Sequence, residues 1–419
     1  MTAIKYWIWL SGLAGIRPKT KHLLLEHFQD PRAIYFANET EYDDVEGLRA
    51  AEKLALRSKS LDRANEILGR CEEINAQIVT IGDAVYPERL RHIYDPPLVL
   101  YVRGKLPWLD EEVPIAIVGT RKATSYGITM GYRFGGALVK GGAVVVSGLA
   151  SGVDTAGAKG ALTAGGRCIG VLGTAIDVVY PRENEALFRD VMYHGALVSE
   201  FPPGYPTQGS NFPQRNRIIS GLSAGVLVIE APKKSGALIT AARAAEQGRD
   251  VFVVPGNVDS PNCVGSNELI KDGAKAVLSG NDILVEYESI YPQKIKLLTD
   301  RELKSSAPVS KKEKSDEKPA AVKRAKPETG EHFLKLRVPN PLRLLKKKET
   351  LESQLSGLTE EQLKIITAVG NESAHVDDIA ERTELPMNRV LSELTMLQIK
   401  GYVNQEKGKR FSLNVKSKK

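Results

Sequence analysis

Between Pro114 and about Tyr287 the chain alternates short β-branched apolar runs with longer Ala/Gly-rich stretches of helical character. Six runs read as strands, at 115–118, 143–146, 168–172, 196–199, 226–229 and 251–254. Each is almost continuously apolar, the pattern of a strand covered on both faces rather than the alternation of a half-exposed one. Such strands, separated by helices of about ten to fifteen residues, need crossover connections, and crossovers in one sheet are right-handed. The pattern predicts an α/β domain with a Rossmann-like, doubly wound, mostly parallel sheet.

On either side the period changes. Residues 1–70 read as a small helical domain of the SAM or helix-hairpin-helix kind. Tyr6 to Ile16 is its first core helix, and Lys21–Phe28, Pro31–Phe36 and 48–57 supply further apolar stripes. The Gly15-Ile16-Arg17-Pro18 turn resembles a hairpin whose amides can grip a phosphate, but the same turn serves a plain packing module, which is the favoured reading. The α/β core is expected over 71–298. Residues 299–354 are rich in Lys, Glu, Ser and Pro and too poor in apolar residues to offset chain ordering, so a flexible basic linker is expected there. Periodicity returns over 355–419 with helices at 359–368, 376–383 and 388–400. A hairpin then follows around Lys407-Gly408-Lys409, and together these form a winged helix.

Composition narrows the class. The 419 residues are 42% hydrophobic and 26% charged, as in ordinary globular proteins. Cys71, Cys168 and Cys263 are too scattered for a disulfide framework or a metal site, which fits a reducing, cytoplasmic setting. The run Tyr6 to Ile16 is too short to span a bilayer and lacks a cleavage signal, so no membrane insertion is expected. The net charge is +7, but 299–354 carry 15 Lys/Arg against 9 Asp/Glu while 1–298 carry 33 of each. Bulk charge therefore says little about the core's ligand; only locally placed cations count.

Ligands of an open α/β sheet bind beyond the carboxyl ends of the strands, where helix starts present free amides. The residues there are Gly119-Thr120-Arg121, Ser147 to Asp154 with Gly148, Ser151 and Gly152, then Lys234-Ser235-Gly236. Arg215 and Arg217 lie in the helical stretch before the fifth of the six strands. Glycines permit close approach, serines donate, and Arg121, Arg215 and Lys234 supply positive heads, which together describe an anion pocket. No GxGxxG follows the first strand, and the nearest approach to a P-loop, Gly152 to Gly157 with Lys159, has its lysine one place late, so neither a dinucleotide nor ATP is expected. HExxH and clustered His/Cys ligands are absent. Asp154, Glu200 and Glu230 read as caps and loop anchors rather than acids or bases, and Cys263 is a weak nucleophile candidate without a partner. The expectation is a binding protein, not an enzyme, with no cofactor and no metal.

Seven blocks in order carry a family resemblance. They are Ile117-Val118-Gly119-Thr120-Arg121, Ser147 to Asp154, Gly173-Thr174 to Tyr180-Pro181, Ser199 to Gly204, Asn211 to Leu222, Ser235 to Ala241, and Val254-Pro255-Gly256. The chain resembles the DNA-processing protein A (DprA/Smf) family. The resemblance implies a protein that binds and protects incoming single-stranded DNA in natural transformation, helps load the RecA recombinase, and dimerises through its core. It implies that Arg121 and Lys234 are basic residues of the DNA pocket, with Arg215 a plausible third. The wider candidate set is Gly119, Thr120, Ser147, Gly148, Ser151, Gly152, Arg217, Ser235 and Gly236. Tyr126, Tyr180, Phe201 and Phe212 are candidates for stacking on bases, and each fits a core role as well.

Two features depart from expectation: the long basic linker, and a winged helix whose second helix carries Asp377, Asp378 and Glu381, unfavourable for DNA. That domain fits a protein ligand, or contact through Lys407 and Lys409 alone. Two other readings compete. One is a phosphoribohydrolase-like nucleotide enzyme, against which stands Pro255-Gly256-Asn257-Val258-Asp259 in place of a PGGxGT loop. The other is a transcription regulator acting through the winged helix.

Overall fold

The computed structural model describes residues 3–305 and, further on, 358–369, 373–383, 385–399, 402–406 and 410–413. The chain divides into two compact units, residues 1–314 and 315–419.

In the first unit the described residues form a nine-stranded sheet. Its strands are β1 (Gln77–Thr80), β2 (Val99–Gly104), β3 (Pro114–Gly119), β4 (Val144–Ser147), β5 (Cys168–Leu172), β6 (Ala196–Ser199), β7 (Gly225–Ile229), β8 (Asp250–Val254) and β9 (Lys275–Ala276). The order across the sheet is β1-β2-β6-β5-β4-β3-β7-β8-β9. Neighbours from β6 through β9 are parallel, while β1 on β2 and β2 on β6 are antiparallel. All six expected strands are present, and the sheet is doubly wound as the apolar runs require. From β3 the chain winds outward through β4 to β6, then returns to the other side of β3 for β7 to β9. The strand order therefore reverses between β3 and β7.

Both faces are covered. Ile115 and Ile117 of β3 point into the layer holding the helices Ser125–Lys140, Val153–Thr163 and Glu185–His194. Ala116 and Val118, one residue out of phase, point into the opposite layer with the helices Asn211–Leu222 and Gly236–Glu246. The small residues of the first layer let two helices nearly touch: a Cβ on Gly135 would lie 2.1 Å from the Gly157 carbonyl oxygen.

The N-terminal helices pack on that same first layer, with Ile8, Trp9, Leu24 and Ile34 continuous with the sheet core. The helix Asp62–Glu73 runs through residue 70, so module and core share one unit. In the Gly15–Pro18 turn the Arg17 amide donates to buried Glu52 (3.1 Å), as do Arg17 Nε (2.8 Å) and Thr20 Oγ1 (2.8 Å). The hydrogen bonds from Arg17 hold the Glu52 carboxyl down to about 2. A protein carboxylate thus takes the anion's place at this turn.

In the second unit the helices Glu360–Val369, Val376–Thr383 and Met387–Ile399 pack around Ile365, Ile379, Val390, Leu394 and Leu397. Strands β10 (Ala374–His375), β11 (Val403–Glu406) and β12 (Arg410–Leu413) form a sheet in the order β10-β12-β11. This is the expected winged helix. On its third helix Arg389 Nε is bonded to Glu361 at 2.9 Å. The expected turn at 407–409 and most of the expected linker, 306–354, lie outside the described residues; its first residues form a helix, Asp300–Ser305, instead of flexible chain. Among the described residues no helix is long and apolar enough to cross a membrane.

Candidate nucleic-acid interface

The point where strand order reverses is where an open α/β sheet leaves a crevice. A cleft of about 540 Å³ lies there, walled by the turn after β3, the segment after β7 and the helix Asn211–Leu222.

The turn after β3 is fixed by its neighbours. Gly119 is packed so tightly that a Cβ would fall 2.0 Å from the Ile229 carbonyl oxygen. The Thr120 amide donates to the Glu230 carbonyl (2.7 Å), and its own carbonyl accepts from the Val153 amide (3.3 Å). Arg121 is thereby turned outward, exposed, with its guanidinium 5.3 Å from the centre of the Phe212 ring. That ring also meets Tyr180 at 5.2 Å, giving one wall of the cleft an aromatic surface under a cation.

Across the cleft, Ser235 caps the helix Gly236–Glu246 by accepting from the Ala237 amide (3.2 Å), and exposed Lys234 precedes it. Gly236 faces open space. From the third wall comes Arg215, 5% exposed. Its Nη1 donates to the carbonyls of Gly148 (2.9 Å) and Val171, and its Nε to Asn216 Oδ1 (3.2 Å). Burial pulls this guanidinium down to about 10, which leaves it charged at neutral pH. Burial also pushes the neighbouring Asp154 carboxyl up to about 6, against the pull of Arg215 and the amides of Ala150, Gly119 and Gly148.

Of the expected site residues, Gly119, Thr120, Arg121, Arg215, Lys234, Ser235 and Gly236 line this cleft. Ser147, Gly148, Ser151 and Gly152 do not line it; Gly148 lies beneath Arg215 and Asp154, and the others hold the surrounding loop. Buried Ser147 accepts from the Leu149 amide and donates to the Asp154 carbonyl, while Ser151 Oγ is bonded to Glu183 (2.9 Å). Gly152, at φ +83°, brings its backbone so close that a Cβ would sit 2.3 Å from the Thr120 carbonyl oxygen. Arg217 is turned away altogether. Its Nη2 is 2.7 Å from Glu200 and its Nε 3.4 Å from Asp95, so its charge is spent inside the protein.

Among the aromatic candidates only Phe212 and Tyr180 reach the cleft. Tyr126 donates to the Pro255 carbonyl, and Phe201 is buried and stacked on Tyr205 at 4.9 Å. Asn216, Ile219 and Ile239 also line it and were not singled out from the sequence; half-exposed Ile239, on the first turn after a glycine-serine cap, was the available signal.

The acidic candidates are engaged. Glu230 accepts from the Thr124 amide (2.9 Å) and hydroxyl, at the start of the helix Ser125–Lys140. A phosphate in a nucleotide-binding βα turn would occupy that position, so the carboxylate closes it to a mononucleotide. The Pro255-Gly256-Asn257 loop is tied to Asn267 through the Gly256 amide and carbonyl (3.2 Å each) and does not line the cleft. No group of His, Cys, Asp and Glu among the described residues could hold a metal.

Residues 77–288, which contain every lining residue of the cleft, match the family of DNA recombination-mediator protein A, and 349–409 match the DprA winged helix domain. Protein Smf of Synechocystis sp. is 34% identical over 97% of this chain and 98% of its own length. The chain belongs to the DprA/Smf family. The DNA processing protein DprA of Bacillus subtilis is 44% identical over 52% of this chain and 74% of its own. The X-ray structure of DprA from Streptococcus pneumoniae superposes with a TM-score of 0.60 at 34% identity, covering 67% of this chain and 97% of that one. In DprA/Smf terms the two basic residues that the motif resemblance singled out, Arg121 and Lys234, stand on opposite walls of one cleft, while Arg217, in the Asn211–Leu222 block, is held by Glu200 and Asp95.

Proposed function

We propose that this DprA/Smf protein binds single-stranded DNA in the strand-end cleft and works, as a cytoplasmic homodimer without catalytic chemistry, by passing incoming strands to a RecA-type recombinase. The observation that carries the reading is the pairing of two exposed cations, Arg121 and Lys234, with the Phe212–Tyr180 surface in one cleft. Cations track phosphates regardless of sequence, and rings accept any base, so the grip is sequence-tolerant and salt-dependent. The names of the relatives, DNA processing proteins, support the same reading.

The test is binding of a short labelled oligo-dT, against a duplex of equal length, by wild type and by Arg121→Ala with Lys234→Glu across a salt series. A single-strand preference lost in the double variant is expected. The slope of log affinity on log salt should fall by about 0.7 for each phosphate contact removed. Equal affinity for duplex, or wild-type affinity in the double variant, would overturn the assignment. The recombinase step is read separately, as faster RecA filament nucleation on the same oligonucleotide.

A further inference from the structure

Arg215 is the deepest cation of the cleft, and a carboxylate sits beside it. Gly148 lies beneath both: a Cβ there would be 2.8 Å from Arg215 Nη2 and 2.8 Å from Asp154 Oδ2. A side chain at this position would push the two groups apart, so the glycine is what lets them share the floor. Asp154 lines the same cleft and is 6% exposed. With Nε and Nη1 of Arg215 given to Asn216, Gly148 and Val171, its Nη2 is the part left to a ligand.

We propose that Asp154 governs how much of the Arg215 charge a DNA phosphate meets, so that protonating this one carboxyl tightens the grip on single-stranded DNA. The inference rests on the reading of the cleft as a DNA site. The charged and titratable groups that act on this floor are Arg215 from the helix Asn211–Leu222, the Cys168 thiol from β5, and Arg121, whose charge opposes that of Arg215. While Asp154 is ionised it offsets Arg215 and repels an incoming phosphate. Once protonated it does neither. Burial places this change at about 6, within reach of mild acidification.

The sign follows from linkage. A phosphate raises the affinity of Asp154 for its proton, so DNA binding draws a proton in, and affinity is higher below the transition than above it. Each pH unit by which the phosphate displaces that transition is worth about tenfold in affinity between the two limits.

The experiment uses the full chain and oligo-dT at constant ionic strength from pH 8 to pH 5, with wild type and Asp154→Asn. Wild type should tighten by about tenfold on going down. Asp154→Asn should hold the low-pH affinity throughout. The same pH dependence in the variant, or flat binding at the weak wild-type limit, overturns the proposal. Should the variant not fold, calorimetry of wild type near pH 6.5 in buffers of different ionisation enthalpy reads proton uptake directly, and no uptake on binding also overturns it. Failure of the underlying reading is distinguishable. Binding untouched by Arg121→Ala and Lys234→Glu removes the DNA cleft itself, whereas pH-independent binding that those variants abolish removes only the part given to Asp154.

Discussion

Arg215 and Arg217 leave the helix Asn211–Leu222 about 200° apart, because each residue turns an α-helix by about 100°. One guanidinium therefore reaches the cleft and the other the far side. There Arg217 makes a two-pronged contact with Glu200, Nη1 to Oε2 at 3.0 Å and Nη2 to Oε1 at 2.7 Å, and donates from Nε to the Asp95 carbonyl at 2.9 Å. Its side chain is only 10% exposed, against 19% for Glu200 and 27% for Asp95. Removing one member of such a pair strands the others, and for fully buried pairs the loss is about 3–5 kcal/mol. Since Glu200 and Asp95 retain some water, the lower end applies, about 3 kcal/mol. At about 2.1 cal/mol/K of unfolding entropy per residue, that is a fall in Tm of about 4–5 °C for a unit spanning residues 1–314. Arg217→Ala should show this loss by thermal melting, yet bind oligo-dT at 20 °C with affinity within about twofold of wild type. Arg121→Ala should do the reverse, keeping its Tm and losing affinity. An Arg217→Ala protein that melts like wild type but has lost DNA would refute the division of labour between the two arginines.

Glu52→Gln should loosen the helical module by about 1–3 kcal/mol, read as protease sensitivity of residues 1–73. Because the Glu52 carboxyl is held down to about 2 from 4.5, its contribution is present above about pH 4.5 and fades as pH falls towards 2, so the variant should lack that part of the acid dependence. Gly152→Ala places a methyl against the Thr120 carbonyl at a φ of +83°, which should displace the turn carrying Arg121 and lower both Tm and DNA affinity; loss of neither would contradict the tight packing found there. Phe212→Leu removes the ring beneath Arg121 and should cost about 0.5–1 kcal/mol of binding, a few-fold in affinity, by fluorescence anisotropy.

The parallel strands were legible because a strand buried on both faces carries an apolar run, as β3, β5 and β7 do throughout and β4, β6 and β8 do apart from a polar residue at one end. β1 was not, since its four residues run from exposed to buried, and two-residue β9 is exposed at both positions; such edges are defined by the neighbour they pair with rather than by their own sequence. Arg121 and Lys234 could be placed because each adjoins a glycine-bearing turn at a strand end, a local signal. The fate of Arg217 depended on Glu200, 17 residues away, and on Asp95, 122 residues away, and nothing in the Gln214–Arg217 run reveals which arginine has partners waiting. The same holds for Asp154. Its position after Gly152 marks it as a residue of a helix start, but only the fold brings Arg215 over Gly148 to meet it.

A common device runs through these carboxylates. Glu52 receives the Arg17 amide and Glu230 the Thr124 amide, while the amides of Gly119, Gly148 and Ala150 lie close enough to Asp154 to favour its ionised form. In a nucleotide-binding sheet the amides after β3 and β4 would be the ones to greet a phosphate. Here the protein's own acids answer them, which keeps a small anion from settling at the βα turns. The helix start left open is that of Gly236–Glu246, where Gly236 faces free space and Lys234 stands beside it. On the proposed reading a phosphate would be gripped first at the rim, between Lys234 and Arg121, with Arg215 acting on it from the floor. Rim contacts of this kind are weak singly and are of most use to a ligand that repeats its charge along a chain. That is the physical reason a polynucleotide suits this cleft better than a nucleotide does, and why its affinity should grow with strand length.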